Sequence, residues 1–180
     1  MNCVNQNLIS IACYPGTLNS RCGSLDGYEL GVHKNVTSLV YVAARAPDAG
    51  EDYSALAAKF PKPLASSGLV FDGEEGRLTE QAFIHHFAGD LPETRAKALY
   101  AVQQSFFKEL LKGRTTNAAW HFKPSFYAIS NDDETIDPDL QRYMAKRMKA
   151  KTVELKASHV SLISQPDAIA NLIIEAAGIL

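Results

Sequence analysis

The chain predicts an α/β fold built on a parallel sheet, and three observations carry that prediction. Val36 to Ala44 is a near-continuous apolar run rich in β-branched residues, the pattern of a strand covered on both faces. Residues 123–177 read as strand, acidic loop, amphipathic helix, second strand and last helix, which makes one right-handed crossover unit. An acidic loop just past one strand and a histidine just past the next would share the carboxyl edge of that sheet, where open α/β sheets place their ligands.

Taken in order, residues 1–30 form an atypical N-terminal segment. They carry Asn, Ser, Gly and all three cysteines, with one short apolar run (Leu8-Ile9-Ser10-Ile11-Ala12) and no periodic helix. The character changes at Gly31. The strand within Val36–Ala44 ends in Arg45-Ala46-Pro47-Asp48-Ala49-Gly50, a turn-rich loop leaving the sheet edge. The next strand begins near Ser125, so residues 51–120 are expected to form a helical insertion far longer than an ordinary crossover. Its expected pieces are a short helix near Tyr53–Lys59, a Pro/Gly/Ser loop, a small turn near Phe71–Leu78, and helices from Thr79 and from Pro92. A last helical piece is expected over Phe106–Leu111. The domain reading is therefore a core of residues 31–50 and 121–180 with a helical cap at 51–120.

The final third has the clearest grammar. Ser125–Ser130 is an apolar strand, and Asn131-Asp132-Asp133-Glu134 is the acidic loop. Asp137 caps a helix whose first position is Pro138, where no amide hydrogen is needed. Leu140, Tyr143, Met144, Arg147 and Met148 recur at helical spacing, with Met and Tyr expected on the face turned to the sheet. Lys146, Arg147 and Lys149 crowd the last turn, where cations suit the helix dipole. Thr152–Lys156 alternates polar and apolar, as a strand with one wet face or an exposed edge would, and Ser158-His159 follows. Pro166 starts a last helix with Ile169, Leu172, Ile173 and Ala176 inward and Gly178 at its end.

Composition narrows the function classes. One hundred and eighty residues with 46% apolar content make one domain with a substantial core. A net charge of −2 gives no electrostatic case for nucleic acid or an anionic membrane. No apolar run approaches the ~20 residues of a membrane span. The Leu8–Cys13 run is too short for a signal sequence and lacks a preceding basic residue, which makes the cytoplasm the expected compartment. Cys3, Cys13 and Cys22 are odd in number and lie nine or ten residues apart, which suits neither a disulfide framework nor a zinc site.

Several stretches together resemble the α/β-hydrolase superfamily, in particular small bacterial esterase-like members related to plant methylesterases and hydroxynitrile lyases. Leu39–Ala44 followed by Ala46-Pro47-Asp48-Ala49-Gly50-Glu51 is similar to their sixth strand and the loop after it. Trp120 with Lys123-Pro124-Ser125 is similar to the approach to their seventh strand. Asn131–Ile136 resembles their acid loop, and Ser158-His159 with Ser164-Gln165-Pro166 resembles their histidine loop and last helix. The resemblance covers about residues 31–177. It implies a partial α/β-hydrolase fold with strands six to eight of the sheet and a helical cap, serine-esterase-type hydrolysis of a small carboxylic ester, and no cofactor or metal. It also implies that Asp133 orients His159, with Asp132 the competing carboxylate. The partner it implies is a small ester-like ligand, with no nucleic acid and no membrane.

The nucleophile departs from this pattern. The fold carries it on a Gly-x-Ser-x-Gly elbow after the fifth strand, and no such motif occurs in the chain. Counting back from Leu39 lands near Ser20, flanked at two residues by Leu18 and Cys22 where a tight turn wants small residues, usually glycine; Ser24 leaves too little chain for the following helix. The expectation is therefore the carboxyl-terminal two-thirds of such an enzyme behind an unrelated or frame-altered start, truncated before its nucleophile. Three functional readings follow: a serine-type hydrolase (or, on the same scaffold, a lyase using the histidine as base), a catalytically inactive ligand binder, and a redox or metal module built on the cysteines.

Other residues have simpler readings. His85 and His86 are adjacent, so on a helix they point about 100° apart and cannot chelate one metal together. They read as cap surface or pocket lining. Phe83, Phe87, Phe106, Phe107 and Trp120 are candidates for an acyl or aryl pocket, though aromatics at helical spacing are more often plain core. If residues 1–30 supply no neighbour, the apolar edge of Leu39–Ala43 is expected to template self-association.

Overall fold

The computed structural model describes residues 8–12 and 31–178. Four strands form one all-parallel sheet: β1 (Leu8–Ala12), β2 (Val36–Val42), β6 (Ser125–Ser130) and β7 (Lys151–Leu155), in the order β1-β2-β6-β7. The three strands expected from the sequence, β2, β6 and β7, are present and parallel, as neighbours in that order. The fourth, β1, comes from the apolar run of the N-terminal segment, so that segment does give β2 a neighbour. Register is fixed across the sheet: Tyr41 stands opposite Ala12 on one side and Tyr127 on the other, and Tyr127 opposite Thr152.

Successive side chains of a strand point to opposite faces, and with both faces covered the middles of β2 (Leu39–Val42) and β6 (Phe126–Ile129) are apolar on both sides. Leu39 and Tyr41 of β2 join Tyr127 and Ile129 of β6 on one face, covered by Leu140, Met144, Ala145 and Met148 of α4 (Pro138–Arg147) and its C-cap. Val40 and Val42 join Ala128 and Leu155 on the other, covered by Ile169, Leu172 and Ala176 of α6 (Pro166–Ala176). Each fully buried aliphatic side chain contributes roughly 1.5–3 kcal/mol of transfer free energy, so both faces need helices: α4, within the β6–β7 crossover, covers one, and α6, after β7, covers the other. A short helix, α5 (Ser161–Ser164), precedes α6. Ser38, buried on the second face, donates to the carbonyl of Ala176 at 2.8 Å and ties the end of α6 to β2. The Tyr127 hydroxyl donates to the Ala44 carbonyl, fixing the backbone where β2 leaves the sheet. Just before it Ala43 takes a positive φ of 43°.

Residues 51–120 are not all helical. They contain α1 (Tyr53–Ala57), a 3₁₀ turn over Leu64–Gly68, and an antiparallel sheet of β3 (Leu69–Asp72), β4 (Glu75–Leu78) and β5 (Phe106–Phe107). The stretch expected as a small turn is thus a hairpin. Leu69-Val70-Phe71 supplies β-forming side chains, and Gly73, at φ +58°, supplies the left-handed residue of a two-residue loop. Phe106–Phe107 pairs with β4 instead of opening a helix, which begins as 3₁₀ only at Lys108. After Thr79, whose hydroxyl accepts from the Ala82 amide at 3.4 Å, α2 (Glu80–Ala82) widens into a π turn over Phe83–Phe87, closed by the Ala88 amide on the Phe83 carbonyl at 2.9 Å. α3 (Glu93–Ala101) completes the segment.

One aromatic placement differs from expectation. Tyr143 lies 45% exposed on the outer side of α4, its ring 5.7 Å from Phe60, because Leu140, Met144 and Met148 already fill the sheet-facing stripe. Trp120 belongs to the core beside α4 and donates its indole N–H to the Pro47 carbonyl at 3.1 Å. Among the described residues no helix is long and apolar enough to cross a membrane.

Candidate active site

The carboxyl ends of β6 and β7 bring the acid loop and the histidine loop together. The chain turns immediately after Ser130: the Asp133 amide donates to the Ser130 carbonyl at 3.3 Å, and the Asn131 and Asp132 amides donate to the carbonyls of Leu155 and Ala157. That turn aims Asp133 inward and leaves Asp132 exposed. His159 Nδ1 lies 2.8 Å from Asp133 Oδ2, and the two side chains are 3% and 0% exposed.

The hydrogen-bond network assigns the protons. Asp133 Oδ1 accepts from the amides of Thr135 (2.7 Å) and Ile136 (3.1 Å); Oδ2 accepts from Gln141 Nε2 (2.7 Å) and faces His159. Three fixed donors aimed at its two oxygens suit a carboxylate that accepts on both. The proton between it and the ring then belongs to Nδ1, which makes Nε2 the basic nitrogen of the imidazole. An isolated buried carboxylate would be costly; the two loop amides and the Gln141 carboxamide replace the water it loses.

His159 is one wall of a cavity of about 810 Å³. The other walls are mostly apolar and include Phe83, Phe87, Leu99, Phe106, Leu140 and Ile163. The Phe87 ring packs 5.0 Å from the imidazole, centroid to centroid. Arg45, at the end of β2, also lines the space, its guanidinium 4.5 Å above the Tyr53 ring. Of the five aromatics singled out in the sequence, Phe83, Phe87 and Phe106 line this cavity, and Phe107 and Trp120 do not. Segment 83–90 reaches both loops. His86 Nδ1 meets Glu134 Oε2 at 2.5 Å, and Ser158 donates to the Phe87 carbonyl at 3.2 Å and to the Asp90 carboxylate. His85 faces solvent. Among the described residues no group of three or more His, Cys, Asp or Glu is placed to hold a metal ion. Ser20 and Ser24 lie outside the described residues, as do Cys3, Cys13 and Cys22.

Gln141 was not singled out from the sequence. Its signal was present: it stands three, four and seven residues before Met144, Ala145 and Met148, so a carboxamide falls on the buried stripe of α4.

The site is thus a buried carboxylate–imidazole pair at the carboxyl edge of a parallel α/β sheet, opening on an apolar cavity. A sequence profile of the Alpha/beta hydrolase family matches residues 12–172, and the chain belongs to that family. Among solved structures it is similar to polyneuridine aldehyde esterase (TM-score 0.64, 16% identity, covering 86% of this chain and 66% of that one). It is also similar to a pyrethroid hydrolase from Sphingobium faniae JZ-2 (TM-score 0.61, 21% identity, 81% and 63%) and a methylesterase from Arabidopsis (TM-score 0.66, 13% identity, 98% and 71%). The chain spans about two thirds of the length of these proteins, and at such identities the likeness establishes the fold. No curated protein matches the sequence.

Proposed function

We propose that this site is the acid–base half of a serine-esterase-type hydrolase acting on a small, largely apolar carboxylic ester, and that the 180 residues present carry it without the nucleophile. The observation that supports this reading most is the buried Nδ1–Oδ2 contact of 2.8 Å opening on an apolar cavity. In this role His159 takes the nucleophile's proton through Nε2 and later returns it to the leaving alcohol, while Asp133 holds the ring and stabilises the imidazolium. Residues 51–120 act as the cap: their aromatic side chains replace water around the ester and set its acyl or aryl shape. The named activities of the esterase and methylesterase neighbours agree with an ester substrate.

A second reading, a protein that binds such a ligand without turning it over, is favoured by one observation. β1 occupies the place beside β2 where the fold's nucleophile strand runs, and the sequence after it is Cys13-Tyr14-Pro15-Gly16 with no Gly-x-Ser-x-Gly anywhere in the chain. The chain as it stands is expected to hydrolyse aryl esters no faster than background and to take no covalent label from a fluorophosphonate. Replacing residues 1–30 with a strand–Gly-x-Ser-x-Gly–helix unit should create labelling that His159→Ala abolishes. Stoichiometric labelling of the unaltered chain at Ser20 or Ser24 refutes the missing nucleophile. A folded graft that never labels refutes the hydrolase reading and leaves ligand binding.

A further inference from the structure

We infer that Gln141 is the positioning residue of this site: its carboxamide supplies the second donor on the Asp133 oxygen that faces His159, and thereby fixes both the direction of that oxygen and the tautomer of the ring. The inference rests on reading Asp133 and His159 as an acid–base pair.

Gln141 is 0% exposed in a stripe otherwise made of Leu140, Met144 and Ala145. A leucine or methionine would fill that volume without bringing a polar group out of water, and burying a carboxamide is unfavourable unless every polar atom finds a partner. Here each does. Nε2 donates to Asp133 Oδ2 at 2.7 Å and to the Ile136 carbonyl at 2.9 Å, and Oε1 accepts from the Ser130 amide at 3.1 Å. The orientation of the amide follows from these partners. Ser130 N–H only donates, and the Asp133 and Ile136 oxygens only accept, so a flipped carboxamide would face three like groups.

The consequence for the acid is geometric. The Thr135 and Ile136 amides hold Oδ1, and Gln141 holds Oδ2, so the carboxylate is pinned at both ends and cannot rotate about its last torsion. His159 meets an Oδ2 whose direction has already been set by another residue. An acceptor aimed in this way selects the ring form with hydrogen on Nδ1. Because one carboxamide also anchors the Ser130 amide at the end of β6, the strand end, the acid and the imidazole share one reference point.

The test reads the ring, not turnover. In ¹⁵N-labelled full-length chain, His159 should show the pattern of an Nδ1–H, Nε2-basic imidazole with a slowly exchanging Nδ1 proton. Gln141→Met keeps shape and removes the donors. It should convert His159 to a mixture of both tautomers and speed exchange of its ring proton about tenfold, the factor equivalent to ~1.4 kcal/mol. A folded Gln141→Met chain with unchanged tautomer and exchange overturns the inference and leaves Gln141 as packing. If that variant does not fold, the unaltered chain decides. Both Gln141 side-chain N–H protons should be protected from exchange, and one should shift when the His159 ring is protonated by lowering the pH. An unprotected or unresponsive Gln141 amide overturns the inference. None of these readouts needs ester hydrolysis, so an inactive chain leaves the inference standing, and a His159 ring in the Nε2–H form overturns it even in an active one.

Discussion

Arg147 shows how one side chain binds distant parts of this protein. Its guanidinium pairs with both oxygens of Glu51 (2.8 and 2.9 Å), donates to the Ala46 carbonyl at 2.8 Å, and lies over the rings of Trp120 and Tyr143. The loop that leaves β2 is thereby clamped to the last turn of α4. Burial pushes the Glu51 carboxyl up, but the Arg147 hydrogen bonds and charge together with the Asp48 amide outweigh it and hold the group below its ordinary value. A carboxylate lowered on folding contributes stability above its unfolded-state pKa and loses it as pH falls through the folded value. The wild-type chain should therefore lose on the order of 1 kcal/mol more stability than Glu51→Gln between about pH 5 and pH 3. Denaturant titrations of the two chains at both ends of that window check this, and parallel pH profiles would remove the pair from the account.

At the scale of elements, α4 ends in a way the residue type resists. Its C-cap is Met148, and Lys149 follows at φ +53°. The Lys149 amide donates to Lys146 and the Ala150 amide to Ala145, both at 3.0 Å, which are the two bonds of a Schellman closure. That closure favours glycine, and Lys149 is exposed. Lys149→Gly should therefore stabilise the chain by roughly 1 kcal/mol, read as a higher melting temperature; a lower one would mean that the lysine makes contacts that outweigh its backbone strain. Such elements also mark how far the sequence was legible. α4, α6, β2, β6 and β7 were readable because burial on defined faces leaves a period, and Asp133 and His159 were readable because they sit next to strand ends. β1 was visible only as an apolar run. The β3–β4 hairpin hid because its strands are four residues long, β3 with no buried position and β4 with one, which leaves too little alternation to see. Gln141 hid because a polar residue on an apolar stripe has meaning only once its three partners are placed.

For the whole molecule, the sheet edges matter. β7 forms one edge, with Lys151, Thr152 and Glu154 exposed, the charged kind that resists pairing. β1 forms the other, with the sequence Leu-Ile-Ser-Ile-Ala, and among the described residues no strand lies beyond it. An apolar, uncharged edge templates further strands. The expectation of self-association thus moves from β2 to β1: sedimentation should show reversible oligomers growing with concentration, which a lysine replacing Ile9 or Ile11 should suppress. A strictly monomeric chain at high concentration would mean that the edge is covered.

The π turn over residues 83–87 extends this to how such a site changes over time. It is a helical turn carrying one residue more than the α pattern, and it ends on Phe87, the ring that packs on His159. Successive helical residues differ by about 100° in direction. Loss of a single codon there would restore an α turn and swing Phe87 away from the imidazole, while the sheet and the acid loop stayed where they are. Insertions and deletions in residues 51–120, more than exchanges of one side chain for another, are then expected to reshape this cavity.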